Sequence, residues 1–332
     1  MSRAFSIAVV GATGLVGSEL ISILEERCFP VSQWTLLTCK ESAGERVQVN
    51  GQSLTIQTLQ AEALKDVDIA FIAAEASIAE QVAEWIQGTK TILIDQSNAF
   101  RWDEKVPLVV AEVNPEDIAQ FKIKNVIACP NANTVPIVQL LAPLDHQADL
   151  SRVVVASYQA VSGVGREGME ELESQTRDLF SMREIKPKHF AHRIAFNILP
   201  HIPGEEEGLL LETRRILKKP DLKMATTCAQ VPVFNGYSAA VHMEFRKPIT
   251  EDTARPILEA TKGLQIVDDV SEDLYPTPAE ASGGDATLVG RIRNDDSVEH
   301  GLAAWYSCDN LRTGSALNAV KIAEILAKEY LR

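Results

Sequence analysis

An apolar run, Ile7-Ala8-Val9-Val10, runs straight into Gly11, and glycine returns at Gly14 and Gly17. The stretch that follows, Ser18 to Arg27, sets Leu20, Ile21, Ile23 and Leu24 at helical spacing. A buried strand, a glycine turn and an amphipathic helix are therefore expected at the start of the chain. Glycine at these three positions lets the backbone approach a pyrophosphate at a helix N-terminus and lets helix pack closely on strand. The spacing is GxxGxxG rather than the commoner GxGxxG, so a tight βα turn without a ligand is the competing reading. Three more apolar runs, Trp34 to Thr38, Asp68 to Ala74 and Thr91 to Asp95, follow, with a helical stretch from Ser77 to Gln87 between the last two. Continuous apolar strands in βα order predict an α/β fold, a Rossmann-type doubly wound parallel sheet.

From Ser151 the pattern changes. Long strands are expected over Arg152 to Gln159, Met224 to Phe234, Ala239 to Phe245, Thr287 to Arg293 and Leu302 to Cys308. Val241-His242-Met243-Glu244-Phe245 alternates apolar and polar, as a sheet with one open or interface face does. An α+β dimerisation and substrate domain with a mixed sheet fits these runs, and its uncovered face suits a homodimer. The last segment, Ser315 to Leu331, reads as a helix that returns to the first domain. With 332 residues, two domains are the natural division, 1–130 with 311–332 and 131–310.

The net charge of minus 14 argues against nucleic acid or an anionic membrane as partner. Five scattered cysteines, odd in number and without a CxxC, suit free thiols in a reducing, cytoplasmic setting. No run approaches the ~20 apolar residues of a membrane span, and no signal peptide is expected.

The chemistry concentrates at Ala128-Cys129-Pro130-Asn131-Ala132-Asn133-Thr134, between the apolar run 125–128 and Val135-Pro136-Ile137-Val138. Strand, tight turn and helix put residue 132 at a helix N-terminus, among N–H groups that favour negative charge. A thiol there would be partly ionised and nucleophilic, but the residue is alanine. Asn131 and Asn133 read as helix caps. Gln159, ending its strand in the polar turn 160–163, is placed to orient a substrate oxygen. Glu205-Glu206-Glu207 begins a helix. His189 and His192 have no third ligand nearby in sequence, so no metal site is expected. Lys40 and Glu41 sit where such folds read the adenosine ribose, and give opposite advice on a 2′-phosphate.

Together, Gly11 to Gly17, Val106 to Asn114, Ala128 to Asn131, Tyr158 to Gly163, Val289 to Arg293 and Asp309 to Leu311 resemble aspartate-semialdehyde dehydrogenase in order and spacing, from near residue 5 to near 330. The resemblance implies a dimeric, two-domain enzyme that reduces aspartyl phosphate to the semialdehyde with NADPH through a cysteine thioester, in amino-acid biosynthesis. It implies cofactor contacts at Gly11, Ala12, Thr13, Gly14, Leu15, Val16, Gly17, Lys40, Ser42 and Asn310. Substrate contacts fall at Asn131, Arg101 and Gln230.

Carried over residue by residue, the family's nucleophilic cysteine falls on Ala132, its acid/base histidine on Tyr237 and its substrate arginine on Gln230. A phosphate-binding lysine falls on Gly208 and the basic residue for the 2′-phosphate on Glu41. Gln159 and Arg101 are kept. The pattern resembles the Usg-type homologues, which keep the fold and lack the nucleophile. Three readings stay open: a dimer that has lost the family reaction yet binds NADP, NAD or a small anionic ligand; a non-covalent oxidoreductase on another carbonyl with Tyr237 as proton donor; or a structural or regulatory partner of an active dehydrogenase, binding no cofactor.

Overall fold

The computed structural model describes residues 3–38 and 43–331. Its contacts divide the chain into two compact units, Met1–Asn131 with Ser315–Arg332, and Ala132–Gly314.

The first unit opens with β1 (Phe5–Val10), α1 (Leu15–Glu26) and β2 (Val31–Thr38). A hairpin follows, β3 (Arg46–Val49) and β4 (Gln52–Thr55), then β5 (Gln57–Thr58), β6 (Ile69–Ile72), α2 (Ala76–Trp85), β7 (Ile92–Asp95) and β8 (Val126–Ala128). Six strands lie in the order β5-β2-β1-β6-β7-β8, and every pairing is parallel. The order reverses direction at β1, so this is the doubly wound sheet expected from the βα alternation, with its crevice at the end of β1. β6, β7 and β8 are buried along their whole length, which is why they read as unbroken apolar runs. The hairpin turns through Asn50-Gly51, both at positive φ, a pair suited to a two-residue turn.

The second unit starts with α3 (Thr134–Ala148) and β9 (Leu150–Gln159), followed by α4 (Arg166–Phe180), α5 (Glu205–Ile216), β10 (Lys223–Gln230) and β11 (Tyr237–Phe245). It ends with α6 (Glu251–Glu259), β12 (Leu264–Ile266), α7 (Pro278–Ala281), β13 (Thr287–Asn294) and β14 (Gly301–Cys308). The sheet order is β10-β9-β11-β14-β13-β12. β10 with β9 and β12 with β13 are parallel and the rest antiparallel, so the sheet is mixed. β10 stops at Gln230 rather than reaching Phe234, because Pro232 has no N–H to continue a ladder.

One face of this sheet carries Val153 and Val155 of β9, Ala239, Val241 and Met243 of β11 and Ala304 and Tyr306 of β14, in one core with Ile137, Leu140 and Leu144 of α3. By the two-residue period of a strand, Val154, Ala156, Tyr158, Ala240, His242 and Trp305 occupy the opposite face. Tyr158 and Trp305 stack there with ring centroids 5.4 Å apart.

The chain then returns to the first unit. The terminal helix expected over Ser315 to Leu331 is present as an unbroken helical run: α8 (Leu317–Ile325) is flanked directly by π-helical turns at Arg312–Ala316 and Leu326–Tyr330. Ala316, Leu317, Val320 and Ala323 join the first unit's core beside Phe5, Ile7 and Val9. Among the described residues no helix is long and apolar enough to cross a membrane.

Candidate functional site

In the first unit, Gly11 has φ +84°, and a Cβ there would lie 2.2 Å from the Ala73 carbonyl oxygen. A Cβ on Gly17 would lie 2.1 Å from the Gly11 carbonyl oxygen. Both glycines are therefore demanded by close backbone packing at the end of β1. The amides of Gly11 and Ala12 donate to the Leu37 carbonyl and that of Gly14 to the Gly11 carbonyl, so the turn is tied to β2. Gly14 is the N-cap of α1 and offers no side-chain cap, leaving the first-turn N–H groups open to an anion. Thr13 Oγ1 lies 3.3 Å from Thr38 Oγ1. A pyrophosphate fits this turn on these grounds. Lys40, Glu41 and Ser42 lie outside the described residues.

Asp95 ends β7, fully buried, and accepts from the Ser97 amide and hydroxyl, each at 2.9 Å. Burial raises its carboxyl above the usual range despite these bonds. Arg101 donates to the carbonyls of Ser97 (3.0 Å), Cys129 (3.1 Å) and Gln96 (3.2 Å). The guanidinium thus ties the loop after β7 to the residue after β8. Burial pushes the Cys129 thiol up, and Asp95 adds to the shift. Asn131 ends the first unit.

The second unit begins with Ala132, its methyl partly buried against the sheet core and packed against Gly314, where a Cβ would meet it at 3.1 Å. α3 starts two residues on with no side-chain cap. The expectation that Asn133 caps this helix needs correcting: its side chain points into the sheet instead. Asn133 Nδ2 donates to Ser157 Oγ (3.2 Å) and lies 3.9 Å from Cys228 Sγ, while its Oδ1 accepts from the Tyr306 hydroxyl at 2.9 Å. A wholly buried amide cannot forgo partners without a desolvation cost, and the β9 and β14 side chains supply them.

Gln159, 2% exposed, donates from Nε2 to Glu205 at 3.1 Å and to Ser157 Oγ at 3.5 Å. Gln230 donates from Nε2 to the carbonyls of Gln159 and Ala160, at 2.8 and 2.7 Å. Its amide donors are thus committed to the backbone rather than held for a ligand. Glu206 accepts from the Cys228 amide at 3.1 Å. The Cys228 thiol is pushed up to about 11, first by burial and then by Glu205 and Glu206, against hydrogen bonds from Ser157 and Gln159.

Tyr237 is 5% exposed. Its hydroxyl lies over Gly163: a Cβ on that glycine would come within 2.0 Å of the oxygen and 3.2 Å of Cζ. Burial, then Glu205, Cys308 and Cys228, all push the phenol up. Asn310, 2% exposed, accepts from the Gly236 amide at 2.9 Å and donates to Ser162 Oγ at 3.0 Å, so its amide holds the turn before β11. Sequence reasoning brought Ala132, Gln159, Gln230 and Tyr237 to one unit but passed over Ser157, Glu205, Cys228 and Tyr306 as contributors. Glu205 was legible only as a helix-starting acid, and Tyr306 carried no polar signal in an apolar strand.

Fold and turn together define a two-domain protein with a dinucleotide-type parallel sheet and a mixed-sheet second domain. Residues 6–121 match the model of the semialdehyde dehydrogenase NAD binding domain, and residues 141–313 that of the semialdehyde dehydrogenase dimerisation domain. The aspartate-semialdehyde dehydrogenase of Aquifex aeolicus is 42% identical over 98% of this chain and 99% of its own. That of Bacillus subtilis is 39% identical over 99% of each. The crystal structure of aspartate semialdehyde dehydrogenase II from Vibrio cholerae superposes with a TM-score of 0.95 at 36% identity, covering 99% of this chain and 100% of that one. The chain belongs to the aspartate-semialdehyde dehydrogenase family.

Proposed function

We propose that this chain keeps the family's dinucleotide-binding turn and does not carry out its thioester chemistry, in the manner of the Usg-type homologues. The observation that carries this reading is Ala132 at the uncapped start of α3, where the family's cysteine would attack. A methyl group forms no thioester, and removal of a nucleophile elsewhere has lowered turnover by roughly six orders of magnitude. No neighbour takes over. Cys228 is fully buried and its thiol lies near 11, so its thiolate fraction near neutrality is negligible. Gln230 spends its donors on backbone carbonyls, and Glu205 and Glu206 supply negative charge where an acyl phosphate needs positive.

Binding of NADP or NAD is supported by the match to an NAD binding domain over residues 6–121 and by the fit of the Gly11 turn to a pyrophosphate. Bound there, the dinucleotide would supply a hydride donor or acceptor; α1 would hold its pyrophosphate through first-turn N–H groups. Reduction of a free carbonyl with Tyr237 as proton donor needs a basic neighbour to lower the phenol. Every neighbour of Tyr237 that shifts it pushes it up, which counts against that reading. Pairing with an active dehydrogenase draws support from the dimerisation domain match.

Calorimetric titration with NADPH, NADH, NADP and NAD tests the binding half. Micromolar binding of one of the four is expected, abolished by Gly11→Ala with the melting temperature followed in parallel. Absence of heat and of any thermal shift with all four would remove the dinucleotide from the proposal.

A further inference from the structure

Among the described residues two side-chain polar atoms are buried without a hydrogen-bond partner, Gln96 Nε2 and Thr213 Oγ1. A buried donor left unpaired carries its full desolvation penalty, and native folds keep few of them. Thr213 lies within α5 of the second unit. Gln96 lies at the carboxyl edge of the parallel sheet, where folds of this kind take their ligands.

Gln96 is the first residue beyond β7. Its backbone amide donates to the Ile72 carbonyl at 3.1 Å, and the residue after Ile72, Ala73, donates to the Val10 carbonyl at 2.9 Å. Ala73 is also the residue whose carbonyl oxygen would meet a Cβ on Gly11 at 2.2 Å. Gly11, Ala73 and Gln96 therefore stand in a row along the ends of β1, β6 and β7, with Gln96 two strand spacings, about 10 Å, from the glycine turn. Ile92 and Ile94 of β7 share a core with Leu20 and Ile21 of α1, so the two-residue period of a strand puts Gln96 on the face that α1 covers. The residue is held there: Ser315 Oγ donates to its Oε1 at 2.5 Å, and its backbone carbonyl accepts from Arg101 at 3.2 Å.

In a doubly wound sheet the glycine turn takes the pyrophosphate and the end of the neighbouring strand, here β2, takes the adenosine ribose. The other half of a dinucleotide then runs along the edge past β6 toward β7. Its nicotinamide ends in a carboxamide, whose carbonyl oxygen is the kind of acceptor that Gln96 Nε2 lacks. We propose that Gln96 reads the nicotinamide end of a bound NAD or NADP, its Nε2 donating to the carboxamide oxygen. This rests on the dinucleotide reading above and adds a contact at the far end from the glycine turn. Binding relieves the unpaired donor, so the nicotinamide half contributes to affinity although no thioester chemistry remains.

The test is calorimetric titration of the full chain with NADP and NAD, and with the matching ligands that lack nicotinamide, 2′-phospho-ADP-ribose and ADP-ribose. Wild type is compared with Gln96→Met, which keeps the length of the side chain and removes the donor. The Kd of the dinucleotide should rise about 10-fold in the variant, while that of the ADP-ribose ligand stays within about twofold. The thionicotinamide dinucleotide, whose sulfur is a weak acceptor, should bind wild type about as weakly as the variant binds the parent, and should lose nothing further in the variant. Equal losses for both ligand classes, no loss for either, or a thionicotinamide penalty that persists in the variant would overturn the assignment. Melting curves establish that the variant is folded; if it is not, Gln96→Glu, which keeps an acceptor for Ser315 and has no donor, is read by the same criteria. A wild type that binds neither ligand class ends the dinucleotide reading and this inference together, whereas one that binds both with the variant unchanged ends this inference alone.

Discussion

Gly163→Ala is the sharpest perturbation of the site. Gly163 lies in the turn Val161–Val164 with no positive φ to forbid alanine, so the cost is steric alone. The new methyl carbon would stand 2.0 Å from the Tyr237 hydroxyl oxygen and 3.2 Å from Cζ. The first contact overlaps by more than 1 Å and the second by a few tenths. Overpacking of this kind typically costs about 1–3 kcal/mol. Tyr237→Phe removes the offending oxygen and leaves only the mild contact. It should change stability by less than ~1 kcal/mol alone, since no described residue hydrogen-bonds that hydroxyl. The cycle predicts that Gly163→Ala costs at least ~1 kcal/mol less in the Tyr237→Phe background, a coupling within the range for touching residues. Thermal melts read this directly, at roughly 2–4 °C per kcal/mol for a domain of this size. A silent Gly163→Ala, or a cost that persists in the phenylalanine background, would refute the placement of the hydroxyl over Gly163 and reopen Tyr237 as a proton donor.

Other consequences are as definite. Tyr306→Phe removes the hydrogen bond that the tyrosine hydroxyl donates to the buried Asn133 carbonyl oxygen at 2.9 Å; denaturant titration should show a loss of about 0.5–1.5 kcal/mol. Ala132→Cys should give a thiol that reacts with iodoacetamide while the buried Cys228 and Cys308 do not, and the variant should still lack dehydrogenase activity, because Gln230 and Tyr237 remain. Asp295 is held at about 2, below the ordinary 3.8, by Ser297 and then His242. A depressed carboxyl stabilises the folded state above its unfolded value and loses that contribution as pH falls, so Asp295→Asn should flatten the stability profile between about pH 4 and 2. An unchanged acid limb would remove Asp295 from the account.

The fold was legible because its strands are buried on both faces: Ile7 to Val10, Ile69 to Ile72 and Ile92 to Asp95 can be little else. The mixed sheet followed from long alternating runs such as Val241 to Phe245. Pro232 was misread as strand interior, although a missing N–H ends a ladder. The terminal helix was legible from its apolar spacing, but its π-helical ends left no local signal, since Leu317 to Ile325 and its flanks share that spacing. At the site, position 132 could be placed from the strand-turn-helix pattern. Partners were another matter. That Asn133 bonds to Ser157 and Tyr306 rather than capping α3 depends on three elements far apart in sequence meeting at one point, and no spacing rule encodes that.

The central claim is that the family's reaction is lost while its architecture is kept. The most direct test follows NADP and NAD reduction at 340 nm with aspartate semialdehyde and phosphate, at micromolar protein, beside a family member that has the cysteine. The account predicts no reduction above the protein-free rate, at least about five orders of magnitude below the active relative. Phosphate-dependent turnover within a thousandfold of that relative, surviving Cys228→Ser, would contradict it.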